Sequence, residues 1–218
     1  MSFEAVMPPY NVGDPTATFL SASCLDFLLI ELVPMAYRVT NELEASASSA
    51  QGATSSSSTA AAAAAAAEKD VSPSAPRAAM DEEEERDAVF YRLETLGYRV
   101  GQGLVERFSR DRPRFNDTLD VIKFLCKDLW MLVFRKQIDN LKTNHRGVYV
   151  LTDNAFRPFS RMSTEAGGGA VQRAEPFLWF PCGVVRGALA AMGVNATVQA
   201  ETNELPGAVF QIKTVPTK

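Results

Sequence analysis

Between residues 90 and 108 an apolar stripe steps along the chain by three or four positions: Phe90, Leu93, Gly97, Val100, Leu104 and Phe108. That period is helical. Gly97 and Gly101 stand four apart, hence on one face. Each glycine costs about 1 kcal/mol against alanine in a helix interior. Such a cost is tolerated where a neighbouring backbone must come close. A helix built this way has to meet a second backbone, and the sequence offers two candidates: an earlier helix of the same chain, or a partner. Gly183 and Gly187 repeat the spacing inside a later helical stretch, 177–194, which must also lie close to something.

The stretch LGYRVGQGLVERF (96–108) invites another reading, as a loop that cradles phosphate. A phosphate loop follows a strand and opens a helix, and the Walker type ends in Gly-Lys-Ser/Thr. GYRVGQG has neither feature and lies within a helical stripe. Packing is the reading it supports, and a nucleotide enzyme is disfavoured.

Upstream, residues 18–39 also read as a helix. Phe19, Leu20, Leu25, Leu28, Leu29, Leu32 and Val33 cover more than one of its sides, so more than one side must be buried. Pro34 is expected to kink or end it. Residues 42–80 change character, with ASASSAQGATSSSSTAAAAAAAEKDVSPSAPRAA at their centre. This composition offers little apolar surface to offset the entropy of ordering, so the segment is expected to be a disordered insertion between two helices of one domain spanning 1–218. The acidic run at 81–87 suits the start of the second helix.

Residues 117–143 read as the central core helix. Leu119, Ile122, Cys126, Leu129, Val133 and Leu141 form its stripe, and Asp117 is placed to cap it. Two short strands are expected next, at 148–154 and 155–163. A loop at 165–175 leads into the helix at 177–194, with Pro181 in its first turn and Gly193 at its stop. Two alternating runs flank Pro206-Gly207 at 196–215, as in a hairpin. The order ααα-ββ-α-ββ implies an α+β domain with helices packed on one face of a four-stranded antiparallel sheet.

Chemistry is sparse. His145 is the sole histidine, in a turn, and no Ser-His-Asp set can be built without it. Cys24, Cys126 and Cys182 are odd in number and far apart, without a CxxC. They argue against a disulfide framework and against a zinc site, and for a reducing compartment. Cys126 sits on a core stripe and reads as a small buried hydrophobe. No cofactor is expected. Basic residues are not interleaved with aromatics as nucleic-acid binding requires. Charge is uneven: residues 1–87 carry 4 Lys+Arg against 14 Asp+Glu, net −10, and residues 88–218 carry 18 against 12, net +6. The later part could touch anionic lipid or an acidic partner.

GYRVGQGLVERF, the run from RFNDTLDVIKFL through FRKQIDNLKTNHRGVYVLTDNAFRPFSRMS, and FPCGVVRGALAAMGV closely resemble the small α/β subunits of TRAPP, the transport protein particle. The resemblance is to the type numbered six in animals, and is stronger over 86–215 than over 17–40. It implies a non-catalytic scaffold in a complex that exchanges nucleotide on Rab GTPases and tethers vesicles between ER and Golgi. It implies a peripheral place on ER-to-Golgi intermediates and Golgi membranes, with the Rab met only through the complex. It also implies pairing with the subunit numbered three, largely through the first two helices. That places a partner interface at Leu25, Leu28, Leu29 and Leu32 on the first helix and at Leu93, Gly97, Val100, Gly101 and Leu104 on the second. Arg110, Arg112 and Arg114 are the candidates for facing a membrane. The rival reading is a free-standing binder of an acyl chain or small apolar ligand on the same fold. The subunit-three type carries an acylated cysteine just before its third helix, whereas DRPRFNDT in this chain has none, which counts against that rival.

Overall fold

The computed structural model describes residues 21–54, 81–110, 112–144, 146–162 and 169–215. Helix α1 spans Ala22–Thr54 and α2 spans Glu82–Phe108. Helix α3, Thr118–Phe124, runs through a π-helical turn at Leu125–Leu129 into α4, Trp130–Phe134. Strands β1 (Asn140–Thr143) and β2 (Val148–Asp153) follow. A short α5 (Ala170–Ala174) and a 3-10 turn (Glu175–Leu178) lead into α6, Trp179–Ala191. Strands β3 (Ala196–Glu201) and β4 (Ala208–Thr214) close the chain's described part. The sheet order is β1-β2-β4-β3, with every neighbouring pair antiparallel. Helices pack on one of its faces, so the architecture is the α+β one expected.

Period-two alternation builds that packing. Ala208, Phe210 and Ile212 of β4 point inward and are buried, while Val209 and Gln211 between them face the other way and are half-exposed. Leu151 and Tyr149 of β2 stand opposite Phe210 and Ile212 and share their face. Each fully buried Phe, Leu or Ile contributes about 1.5–3 kcal/mol. Trp130 lies at the centre, with ring contacts to Phe134, Phe156 and Phe210. Its indole N–H donates to the fully buried Asp153 at 2.9 Å. Asp153 also accepts from Lys136 Nζ at 2.5 Å and from the Ala155 N–H at 3.1 Å, so the buried carboxylate is satisfied.

Several boundaries differ from those read in the sequence. Helix α1 passes through Pro34 and extends to Thr54. Pro34 lies on an exposed side, where the carbonyl left without its donor can be met by water. The helix thus enters the segment expected to be disordered, and residues 55–80 of that segment lie outside the described residues. The expected helix at 117–143 stops at Phe134, because Arg135 takes a left-handed conformation (φ 61°). Residues 140–143 are strand β1, so the first hairpin pairs 140–143 with 148–153. Asn144 builds its turn, its Oδ1 accepting from the N–H groups of Arg146 and Val148. The strand expected at 155–163 is instead a 3-10 turn, Arg157–Phe159, begun by Phe156 and containing Pro158. Part of the expected loop at 165–175 is α5. Asp117 occupies the N-cap position of α3 but makes no side-chain cap bond. The π-helical turn has a local role: the Cys126 carbonyl within it accepts the Ile138 N–H at 3.1 Å, tying the helix end to the first hairpin.

Candidate interaction surface

The two glycine pairs face one another. A Cβ on Gly97 would fall on the Phe180 carbonyl oxygen, and one on Gly101 on the Val184 carbonyl oxygen. Reciprocally, a Cβ on Gly183 would meet the Glu94 carbonyl and one on Gly187 the Tyr98 carbonyl. The backbone that α2 approaches is therefore α6, not α1 and not a partner. The buried line of α2 is Val89, Leu93, Gly97, Gly101 and Val105, a strict four-residue step. Phe90, Val100 and Phe108 of the expected stripe stay exposed. Glu94 accepts from Arg186 Nε and, at 2.7 Å, from Arg186 Nη2 across the same contact.

Helix α1 lies on α2 and on the start of α6. Leu32, Val33 and Ala36 form a cluster with Val89, Leu93 and Trp179. Asp26 accepts from Arg157 Nε at 2.7 Å and from Arg161 at 3.4 Å, fixing the start of α1 to the body. The hydrogen bond from Arg157 chiefly holds the Asp26 carboxyl below its ordinary range, and burial opposes it.

Among the described residues, nothing covers the remaining side of α1. Phe27 is 62% exposed, Leu28 58% and Met35 40%. On α2, Leu96 and Val100 stand one turn apart and are exposed as well. The multi-sided apolarity of residues 18–39 calls for burial on more than one side; the described residues fill one side and leave the second exposed. Of the residues placed at an interface from sequence, Leu28 and Val100 are exposed and Leu25 and Leu104 are half-buried. Leu29, Leu32, Leu93, Gly97 and Gly101 are buried inside the chain. Phe27, Met35 and Leu96 were not singled out from the sequence as interface residues. Their signal is the 27–31–35 step of one helix and the 96–100 step of the other.

The arginines of the α2–α3 connection divide. Arg110 and Arg114 are exposed. Arg112 is not a free cation: it donates to Asp128 at 2.6 Å, with 15% and 13% of the two side chains exposed, and lies over the Phe124 ring at 5.4 Å. Burial pushes the Asp128 carboxyl up, against the pull of Arg112. A cavity of about 290 Å³ opens here between Phe115 and Phe124, rimmed by Arg114, Lys123 and Lys127.

Nucleophilic chemistry finds no support at the buried cysteines. Burial pushes the Cys126 and Cys182 thiols up to about 12, so neither supplies a thiolate near neutrality. Cys24 is exposed, and His145 lies outside the described residues. Among the described residues no cluster of three or more His, Cys, Asp or Glu could hold a metal, and no helix is long and apolar enough to cross a membrane.

Comparison with known proteins shows the family. Residues 25–215 match the family described as transport protein particle (TRAPP) component. A zebrafish protein, trafficking protein particle complex subunit 6b, is 53% identical over 130 residues, which is 60% of this chain and 82% of that protein. The human subunit 6B is 48% identical over 136 residues, 62% of this chain and 85% of that protein. Among solved structures, a subunit 3 from Naegleria fowleri covalently bound to palmitic acid superposes with a TM-score of 0.50 over 60% of this chain and 82% of that one, at 14% identity. At that identity the likeness is one of fold.

Proposed function

Since the chain belongs to the TRAPP component family and is of its subunit-six type, we propose that it is a non-catalytic structural subunit of a TRAPP-type complex, one that exchanges nucleotide on Rab GTPases and tethers vesicles between ER and Golgi. It pairs with a subunit of the type numbered three, through the uncovered side of α1 and the adjoining flank of α2. The observation that carries this reading is the exposure of Phe27, Leu28 and Met35 on a helix whose other side is already filled. Apolar groups gathered on one exposed helix side mark an interaction site.

The Rab is met only through the complex. The chain sits at the cytoplasmic side of ER-to-Golgi and Golgi membranes. Arg110 and Arg114 contribute weak contact with anionic lipid there. The Ser/Ala-rich segment beyond α1 is an insertion that the domain does not need for folding. The acyl-binding alternative is disfavoured because residues 110–118 offer no cysteine for a thioester.

Co-expression of the full chain with a subunit of the number-three type, followed by size-exclusion chromatography, tests the pairing. A stable one-to-one species is expected. Rab nucleotide release is then measured with the chain alone and with the reconstituted assembly. Release driven by the chain alone, or elution of the two subunits as separate monomers, would sink the reading.

A further inference from the structure

Among the described residues, strand β3 is an edge of the sheet with no strand beyond it. The Val215 N–H donates to the Asn195 carbonyl, which makes 195 and 215 a hydrogen-bonded pair. In an antiparallel ladder such pairs alternate. Given the register of β3 on β4, residues 197, 199 and 201 bond to β4, and Ala196, Val198 and Ala200 aim their N–H and C=O groups away from it.

Edges of this kind are ordinarily blunted by short length, lysine, proline or a bulge. The opposite edge, β1, has four residues and carries Lys142. Strand β3 has six residues, ATVQAE, with no lysine and no proline, and its register on β4 is unbroken.

A groove of about 540 Å³ runs beside this edge. Residues 198–201 all line it. Successive side chains of a strand alternate between faces, so four consecutive lining residues mean that the strand presents its edge to the groove. Across from it stand Arg86, Phe90 and Trp179. Phe90 meets Trp179 edge-on at 5.6 Å, and Arg86 lies over the same indole while pairing with Glu175. With Arg86 and Glu175 paired, the groove keeps two carboxylates, Asp87 and Glu201, that have no partner among the described residues.

We propose that the β3 edge takes an added strand: an extended segment of a neighbouring polypeptide that pairs with the outward backbone groups of Ala196, Val198 and Ala200 and sets a lysine or arginine between Asp87 and Glu201. The edge supplies main-chain affinity, and the carboxylates select a basic segment. This surface lies on α2, α6 and β3, apart from the uncovered side of α1. The inference rests on the reading above only in taking the neighbour from the same assembly.

Hydrogen exchange tests it, followed in the full chain alone and in the native assembly purified through a tag on that chain. The outward amides of Ala196, Val198 and Ala200 are expected to exchange readily in the isolated chain and to slow by about tenfold or more in the assembly, while those of residues 197, 199 and 201, bonded to β4, are protected in both. Val198→Pro removes one outward donor without touching the β4 ladder, and the slowing should be lost. Asp87→Lys combined with Glu201→Lys leaves the backbone intact and should also reduce the slowing; it carries the test if the proline variant fails to fold. Unchanged exchange at 196–201 in the assembly overturns the inference, and so does slowing that survives both variants. Slowing that appears in the isolated chain as its concentration rises makes the occupant a second copy and also overturns it. Protection confined to α1 and α2 upholds the pairing with the number-three type while overturning the added strand.

Discussion

Arg186 on α6 donates from both Nε and Nη2 to the two carboxylate oxygens of Glu94 on α2. The guanidinium also lies 4.7 Å from the centre of the Tyr98 ring. The pair therefore spans the contact at which the two glycine pairs interlock. Arg186→Ala leaves the Glu94 carboxylate without its donors. Losing a charged partner costs about 1–3 kcal/mol, and the lower part of that range is expected because Arg186 is 43% exposed. Urea unfolding of the variant measures it, and a midpoint equal to the parent's refutes a stabilising role.

The glycines themselves give a paired test. Gly101→Ala places a methyl on the Val184 carbonyl, so α2 and α6 must separate. Overpacking costs about 1–3 kcal/mol, and at this chain length each kcal/mol lowers the melting temperature by about 2–4 °C. Gly103 has open space where its Cβ would stand, so Gly103→Ala should gain up to about 1 kcal/mol from helix propensity. Thermal melts of the two variants should shift in opposite directions.

For the uncovered side of α1, Leu28→Asp with Met35→Asp is the informative change. Both positions are exposed, and substitutions at such sites usually stay within about 0.5 kcal/mol. The melt should be unaltered while affinity for the number-three subunit falls about tenfold for each 1.4 kcal/mol of lost contact. Titration calorimetry gives the second number, and unchanged affinity moves the interface elsewhere.

The Asp26–Arg157 pair sets a pH dependence. The folded-state pKa of Asp26 is held below its ordinary value of 3.8. Its stabilisation is then fully present above that value and is lost as pH falls through the folded pKa. Asp26→Asn should remove this loss. Melting curves from pH 5 downward, compared between parent and variant, isolate the contribution, and parallel curves would show the pair to be inert.

The arginines before α3 separate by role. Arg110→Glu with Arg114→Glu should lower flotation of the assembled complex on anionic vesicles and leave folding intact. In 1 M salt, where the Debye length is about 3 Å, the parent should behave like the variant. Arg112→Glu should instead lower the melt, since it sets a second carboxylate against Asp128. Flotation unaffected by the double reversal removes these residues from any membrane contact.

How far the sequence carried the fold depends on the range of the signal. The helical period of α2, the Pro206-Gly207 hairpin and the stop at Gly193 rest on local periodicity and turn chemistry and are legible without tertiary knowledge, whereas the buried line of α2 is 89-93-97-101-105 and not the stripe the period suggests. Leu141 falls both two four-residue steps beyond Val133 and within the alternation N-L-K-T of β1. The left-handed Arg135 decides between them, and no glycine or asparagine marks it. Residues 155–163 read as a strand, but Pro158 within them cannot donate to a ladder. For the surface, the multi-sided apolarity of α1 signals a second apolar side in need of cover. Which leucines lie on it depends on where α2 and Trp179 sit, a tertiary fact. The glycine pairs each signalled a close backbone, but nothing in either pair names the other.

The interlocking of Gly97 and Gly101 with Gly183 and Gly187 also fixes an order of events during synthesis. Helix α2 is complete at Phe108 and α6 only at Ala191. At about 5–20 residues per second, α2 spends several seconds or more without the backbone it is shaped to meet. The shelf on which α1 rests includes Trp179, so it too is unfinished until then. The surface on which α1 packs is therefore complete only once α6 has been made.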